Sequence, residues 1–105
     1  MSSPKYVLIA RIPAEGVSAY QEYETAVLPL LCEHEGTLER RLRSSDGLVE
    51  VHVVGFSSHA AFRAYMEDPR RVALQPLLAS SGASAELHEL VDVDGSPGAP
   101  WGPSI

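Results

Sequence analysis

Two strand-like runs, residues 37–44 and 48–56, meet at Asp46-Gly47, and that joint constrains the chain more than any other feature. A two-residue type I′ turn needs positive φ at both central positions, which Asp-Gly supplies, so the runs are expected to form a tight antiparallel hairpin. The register follows by counting. Ser45 pairs with Leu48, Arg43 falls opposite Glu50, Arg41 opposite His52, Leu42 opposite Val51 and Arg40 opposite Val53. Side chains alternate between the faces of a strand. One face of the hairpin is therefore mostly apolar and is expected to take the helices. The other carries Glu39, Arg41, Arg43, Glu50 and His52.

The remaining elements fall around this hairpin. Residues 5–12 (KYVLIARI) are rich in β-branched and aromatic types and end at Pro13, which reads as a first strand. Ser18, with Gln21 three residues later, gives a capping-box pattern for a helix reaching Glu35, with Gly36 as its stop and a kink at Pro29. Ser57 or Ser58 caps a second helix that turns Ala61, Phe62, Tyr65 and Met66 inward. Asp68-Pro69 ends it and starts a short helix broken at Pro76. Residues 85–93 form the last strand. The order β-α-β-β-α-β predicts an α+β, ferredoxin-like domain over residues 1–93: a four-stranded antiparallel sheet with helices on one face. Residues 94–105 hold six of the sixteen Gly and Pro residues and read as a tail docked through Trp101.

A sheet covered on one side has a second face to dispose of. Whichever parity the first strand presents, that face gains either Val7 and Ile9 or Tyr6, Leu8 and Ile12, so it is half apolar. A homodimer packed sheet on sheet is the expected solution.

The net charge of −6 excludes a nucleic-acid or anionic-membrane footprint, and no apolar run approaches the length of a membrane span. With one cysteine, Cys32, and no leader-like segment, a reducing, cytoplasmic setting is expected. From Ile12 through Glu39 there are six acids and no Lys or Arg, which reads as a solvated acidic helix.

Several motifs together resemble the dimeric α+β barrel superfamily. They are Tyr6-Val7-Leu8, then Tyr20, Tyr23 and Pro29-Leu30-Leu31, then Glu35-Gly36. The second half adds Val53-Val54-Gly55-Phe56-Ser57-Ser58 running into Ala60-Ala61-Phe62, followed by Tyr65 and Asp68-Pro69. The resemblance spans residues 5–93. It is nearest the short stand-alone branch and more distant from antibiotic-biosynthesis monooxygenases and polyketide cyclases. It implies two ferredoxin-like protomers whose sheets meet as a barrel, with a pocket in each between sheet and helices. In the short branch an acid commonly precedes the Phe, where this chain has Gly55. Such a scaffold hosts unrelated functions, so the resemblance brings no chemistry with it.

Among candidate sites, His52 with Arg41 and Glu50 is the strongest polar cluster: a general base oriented by a carboxylate, or a cross-strand ion pair at a dimer seam. His88 is a candidate to share the face of His52, but no third ligand is spaced to complete a metal site, so none is expected. Tyr20, Tyr23, Phe62 and Tyr65 sit at helical spacing as core, and the tyrosine hydroxyls among them also suit the wall of a pocket for a phenolic ligand. Cys32 reads as a small buried hydrophobe. His34 belongs to a helix end, and neither it nor His59 has a motif for a haem ligand.

Two function classes fit these residues. One is a homodimeric small-molecule protein without an intrinsic cofactor, acting as a monooxygenase, cyclase or isomerase on an apolar or aromatic metabolite. There His52 is the base or its orienter, Arg41 a charge stabiliser, and Tyr23 and Tyr65 pocket hydroxyls. The other is a non-catalytic binding or assembly module of the same fold.

Overall fold

A computed structural model describes residues 3–93; Trp101 and the tail expected to dock through it lie outside them. The chain runs through β1 (Lys5–Arg11), α1 (Val17–Val27), α2 (Leu30–Glu33), β2 (Gly36–Arg43), β3 (Val49–Phe56), α3 (His59–Glu67), α4 (Pro69–Ala73), α5 (Gln75–Ser81) and β4 (Ser84–Leu90). The strands form one antiparallel sheet in the order β2-β3-β1-β4. This is the ferredoxin-like arrangement, with both parts of the helical layer on one face.

The hairpin register is the one counted from the sequence: Arg43 lies opposite Glu50, Arg41 opposite His52 and Leu42 opposite Val51. The turn is not type I′. Only Gly47 has positive φ; the Gly47 N–H donates to Ser44 O, and Asp46 Oδ1 accepts from the Leu48 N–H and the Ser44 hydroxyl. The Asp46 carboxylate thus stabilises a turn over Ser44–Gly47 that needs one left-handed residue instead of two.

The faces are the reverse of those expected from polarity. Glu50 and His52 are 1% and 3% exposed and lie with Val54 and Phe56 beneath the helices, beside Tyr6, Leu8 and Ala10 of β1. The aliphatic set Val49, Val51, Val53, Val7 and Ile9 lies on the opposite face, which no helix among the described residues covers. A polar face can go inside when its charges neutralise one another, and these do.

A bulge in β2 sorts the charges. Pairing shifts between Leu38 and Arg40, so Leu38 aligns with Val54 while Arg41 aligns with His52. Arg41 and Arg43 thereby share the inner face, whereas Glu39, grouped with them by simple alternation, pairs with Lys5 at 3.1 Å. Glu39 also fills the space over Gly55, where an added Cβ would come 2.5 Å from its Oε2.

The helices differ from expectation in their ends more than in their positions. A 3₁₀ turn, Ala14–Gly16, leads into α1, and no side chain caps its start, so Ser18 lies inside the helix. Pro29 separates α1 from α2, and the left-handed residue that ends α2 is Glu35 at φ 59, not Gly36. Ser58 and Asp68 cap α3 and α4 as the sequence predicts, accepting from the Ala61 and Arg70 N–H groups. Cys32 is exposed. Among the described residues no helix is long and apolar enough to cross a membrane.

Aromatic packing fixes one end of the helix–sheet layer. Tyr6 stacks on Phe62 with ring centroids 4.0 Å apart, and Phe56 meets Phe62 edge-on at 5.5 Å. At the other end Gly16 lies so close to α5 that an added Cβ would overlap the Ser81 carbonyl. Gly16→Ala is expected to lower stability by about 3 kcal/mol, read as a shift in the urea midpoint with unchanged slope.

Candidate functional site

The polar half of the inner face is built by three elements. β3 supplies Glu50 and His52, the bulged β2 supplies Arg41 and Arg43, and α1 lays Glu24 over them, only 2% exposed. Arg41 joins the layers: its Nη2 donates to Glu24 Oε1 at 2.8 Å and its Nε to Glu50 Oε1 at 3.2 Å. Arg43 Nε donates to Glu50 Oε2 at 2.7 Å. His52 Nε2 lies 2.8 Å from Glu50 Oε1 and 2.9 Å from Glu24 Oε2. One ring N–H serves only one of those oxygens well, and Glu24 Oε2 is left buried without a well-aligned hydrogen-bond partner among the described residues.

Glu24 was missed by sequence reasoning, which assigned it to a solvated acidic helix. Its signal was its place one residue after Tyr23 on the inner stripe of α1, legible only once a cation was known to lie beneath. His88 is on the other face of the sheet from His52, opposite Val7, and bonds Glu86 at 3.2 Å. It is not a co-ligand. Glu24, Glu50 and His52 do bring three ligand-type atoms within 4.8 Å of one another. Their oxygens already face two guanidinium groups, so the donor set suits a proton better than a divalent cation.

Each shift in proton affinity follows from this geometry. Burial alone would lower the His52 pKa, but the Glu24 and Glu50 carboxylates set against its Nε2 outweigh it and raise it. Burial would raise Glu50, yet hydrogen bonds from His52, Arg43 and Arg41 hold it well below the usual carboxylate range. Tyr20 is pushed far up by burial and by the nearby charges of Glu24 and Glu50.

Beside the cluster, a cavity of about 260 Å³ opens between sheet and helices. Tyr20, Tyr23, Phe62 and Tyr65 all line it, with Glu24 and His52 at its polar end. Arg41 is not in its wall; it reaches the cavity only through the glutamates it holds. Exposed Ala85 and Leu87 of β4 mark its open side. His34 and His59 lie elsewhere, bonded to Asp68 at 2.7 Å and Glu89 at 3.0 Å, so neither is placed for a group in the cavity.

A one-faced antiparallel sheet with an interlayer cavity defines the class by fold: a ferredoxin-like α+β protein. No protein-family model matches the sequence, and no curated protein matches it. Solved structures do. SnoaB, a cofactor-independent oxygenase from Streptomyces nogalater, aligns with a TM-score of 0.74 at 14% identity, covering 92% of this chain and 99% of its own. A NIPSNAP family protein from Agrobacterium tumefaciens gives 0.65 at 23% identity, over 91% of this chain and 98% of its own. A putative antibiotic biosynthesis monooxygenase from Nitrosomonas europaea gives 0.67 at 11% identity, over 81% and 95%. At these identities the relationship is distant and is one of fold.

The shifted groups predict a pH window. His52, raised in the folded state, stabilises fully below its ordinary 6.5, and that contribution is lost as pH rises through its folded value. Glu50, depressed, stabilises above its ordinary 4.5, and that contribution is lost as pH falls through its folded value. The combined contribution of the two groups is therefore expected to be greatest between 4.5 and 6.5. By nuclear magnetic resonance the His52 ring should titrate above 6.5, and Glu50→Gln should bring its midpoint down.

Proposed function

We propose that the chain is a homodimeric small-molecule-binding protein that acts on an apolar or aromatic metabolite as a cofactor-independent monooxygenase, cyclase or isomerase. The observation that carries this reading is Glu24 Oε2, buried at the wall of an aromatic cavity, 2.9 Å from His52 Nε2 and without a well-aligned donor among the described residues. All three reactions can begin by removing a proton from a carbon acidified by a neighbouring carbonyl. That step needs a base held at fixed geometry in a site that excludes water.

In this reading Glu24 Oε2 takes the proton. His52 orients the carboxylate and shares the proton through Nε2. Arg41 is a positioning residue that fixes both glutamates. Tyr20, Tyr23, Phe62 and Tyr65 hold the ring. For oxygenation at a CH₂ carbon, the carbanion reduces O₂, one oxygen atom becomes the new carbonyl, and the other leaves as water with the two substrate hydrogens. The similarity to SnoaB supports this variant.

The uncovered sheet face supports the dimer. Val7, Ile9, Val51 and Val53 form a half-buried aliphatic strip, with Leu42 and Leu90 exposed at its margins. A second copy packed sheet on sheet would cover it. Native mass spectrometry of the wild type should give twice the chain mass, and Val53→Glu, which puts a charge in the strip, should give the monomer.

The activity is tested with an aromatic ketone bearing an acidic C–H, by following deuterium exchange at that carbon and oxygen uptake. Glu24→Gln should slow exchange by about 10²–10⁴-fold while the ketone still binds. Binding without exchange in the wild type would leave the non-catalytic module, a reading favoured by the fact that Arg41 and Arg43 already engage Glu50 on both oxygens.

A further inference from the structure

Two consecutive arginines on α4 have opposite circumstances. Arg70 is satisfied: its Nη2 lies 2.9 Å from Glu33 Oε1 and 2.8 Å from Asp68 Oδ2. Arg71 turns the other way and lines the cavity. Its guanidinium carbon lies 5.2 Å from the centre of the Tyr65 ring, and its Nη1 reaches Met66 O only at 3.4 Å. Its Nε is buried and has no partner among the described residues. The Tyr65 ring face and hydroxyl supply part of what this cation needs, but they leave the buried Nε unserved.

The acids of the cavity wall have cations of their own. Glu24 is held by Arg41 at 2.8 Å, and Glu86 by Arg11 at 2.7 Å. Arg71 is thus a half-buried positive group in a lining that is mostly aromatic and aliphatic, with no carboxylate in ion-pair range among the described residues. Burial pushes the Tyr23 and Tyr65 hydroxyls up while the Arg71 charge draws both back, so its field falls on the part of the wall they share. A desolvated donor of this kind is costly when unpaired and binds an anionic oxygen strongly when one is offered.

We infer that Arg71 anchors an anionic oxygen of the ligand, so that the cavity takes an aromatic acid: a ring system carrying an ionised carboxylate or phenolate. This rests on the cavity being a small-molecule site and deepens that reading. The ring lies against Phe62 and the tyrosines, and the charged oxygen meets Arg71 at the α4 wall.

The test is a titration of the full chain with three probes: naphthoate, nitrophenolate under mildly alkaline conditions, and neutral methyl naphthoate. At least one anion should bind about tenfold or more tightly than the ester, and the favoured anion identifies the oxygen as carboxylate or phenolate. Arg71→Gln should abolish the preference without weakening the ester, and Arg71→Lys, which keeps the charge, should retain part of it. Circular dichroism checks that each variant folds, and the lysine variant keeps the test alive if the glutamine variant does not. Equal binding of ester and anions, or equal weakening of all three by Arg71→Gln, would overturn the role of Arg71 and leave the cavity a small-molecule site. Failure of every probe to bind the folded wild type would overturn both.

Discussion

Arg41 stands between two carboxylates that would otherwise repel each other in a space with little water. Glu24 and Glu50 are both almost wholly buried, and the guanidinium donates to each. An unpaired charge in such a place costs several kcal/mol, so α1 can lie on this part of the sheet only with the arginine beneath it. The bond also ties elements distant in the chain: Glu24 comes from the first helix, Arg41 from the second strand and Glu50 from the third. Hydrophobic contacts hold the opposite end of the layer through Tyr6, Phe56 and Phe62. The two ends are held by different physics, and the cavity lies where they meet.

That division explains why the interior is laid out as it is. A fully apolar inner face would close around the aromatic rings, whereas a charged cluster cannot collapse onto them without losing its partners. Glu24, His52 and Arg71 line the cavity because each is held by its neighbours or left without one, and the tyrosines between them carry hydroxyls that burial keeps protonated. Binding and proton transfer then draw on the same small set of side chains.

Much of the scaffold was legible in the residues. Pro13, Asp68-Pro69 and Pro76 punctuate the chain by removing N–H groups and fixing φ, effects that act locally and are little altered by tertiary context. Counting from Asp46-Gly47 gave the correct pairing although the turn was of another type, because Ser44 still pairs with Val49 at its base. What did not show was which face goes inside. Polarity normally decides that, and here it misleads: the charges of β2 and β3 are neutralised by one another and by a helix glutamate far away in sequence. No local pattern records such a pairing. The four helix-borne aromatic residues of the cavity wall were legible because helical spacing puts Tyr20 and Tyr23 on the inner side of α1 and Phe62 and Tyr65 on that of α3, whereas Glu24 and Arg71 depend on contacts between elements.

The irregularity between Leu38 and Arg40 has a bearing on how such a chain tolerates change in length. Were the register of Leu38 with Val54 continued along β2 without the bulge, the residues opposite Glu50 and His52 would be Leu42 and Arg40, so one buried carboxylate would face an isobutyl group and the two-arginine bridge would vanish. Loss of the extra residue, Glu39, would leave Arg41 and Arg43 opposite His52 and Glu50, whereas loss of Leu42 would turn the two arginines to opposite faces and exchange part of the ionic composition of the interior for that of the surface. Insertions and deletions in this strand are therefore chemical substitutions at a distance, and drift in the length of β2 is restricted by charge neutrality as much as by hydrogen bonding.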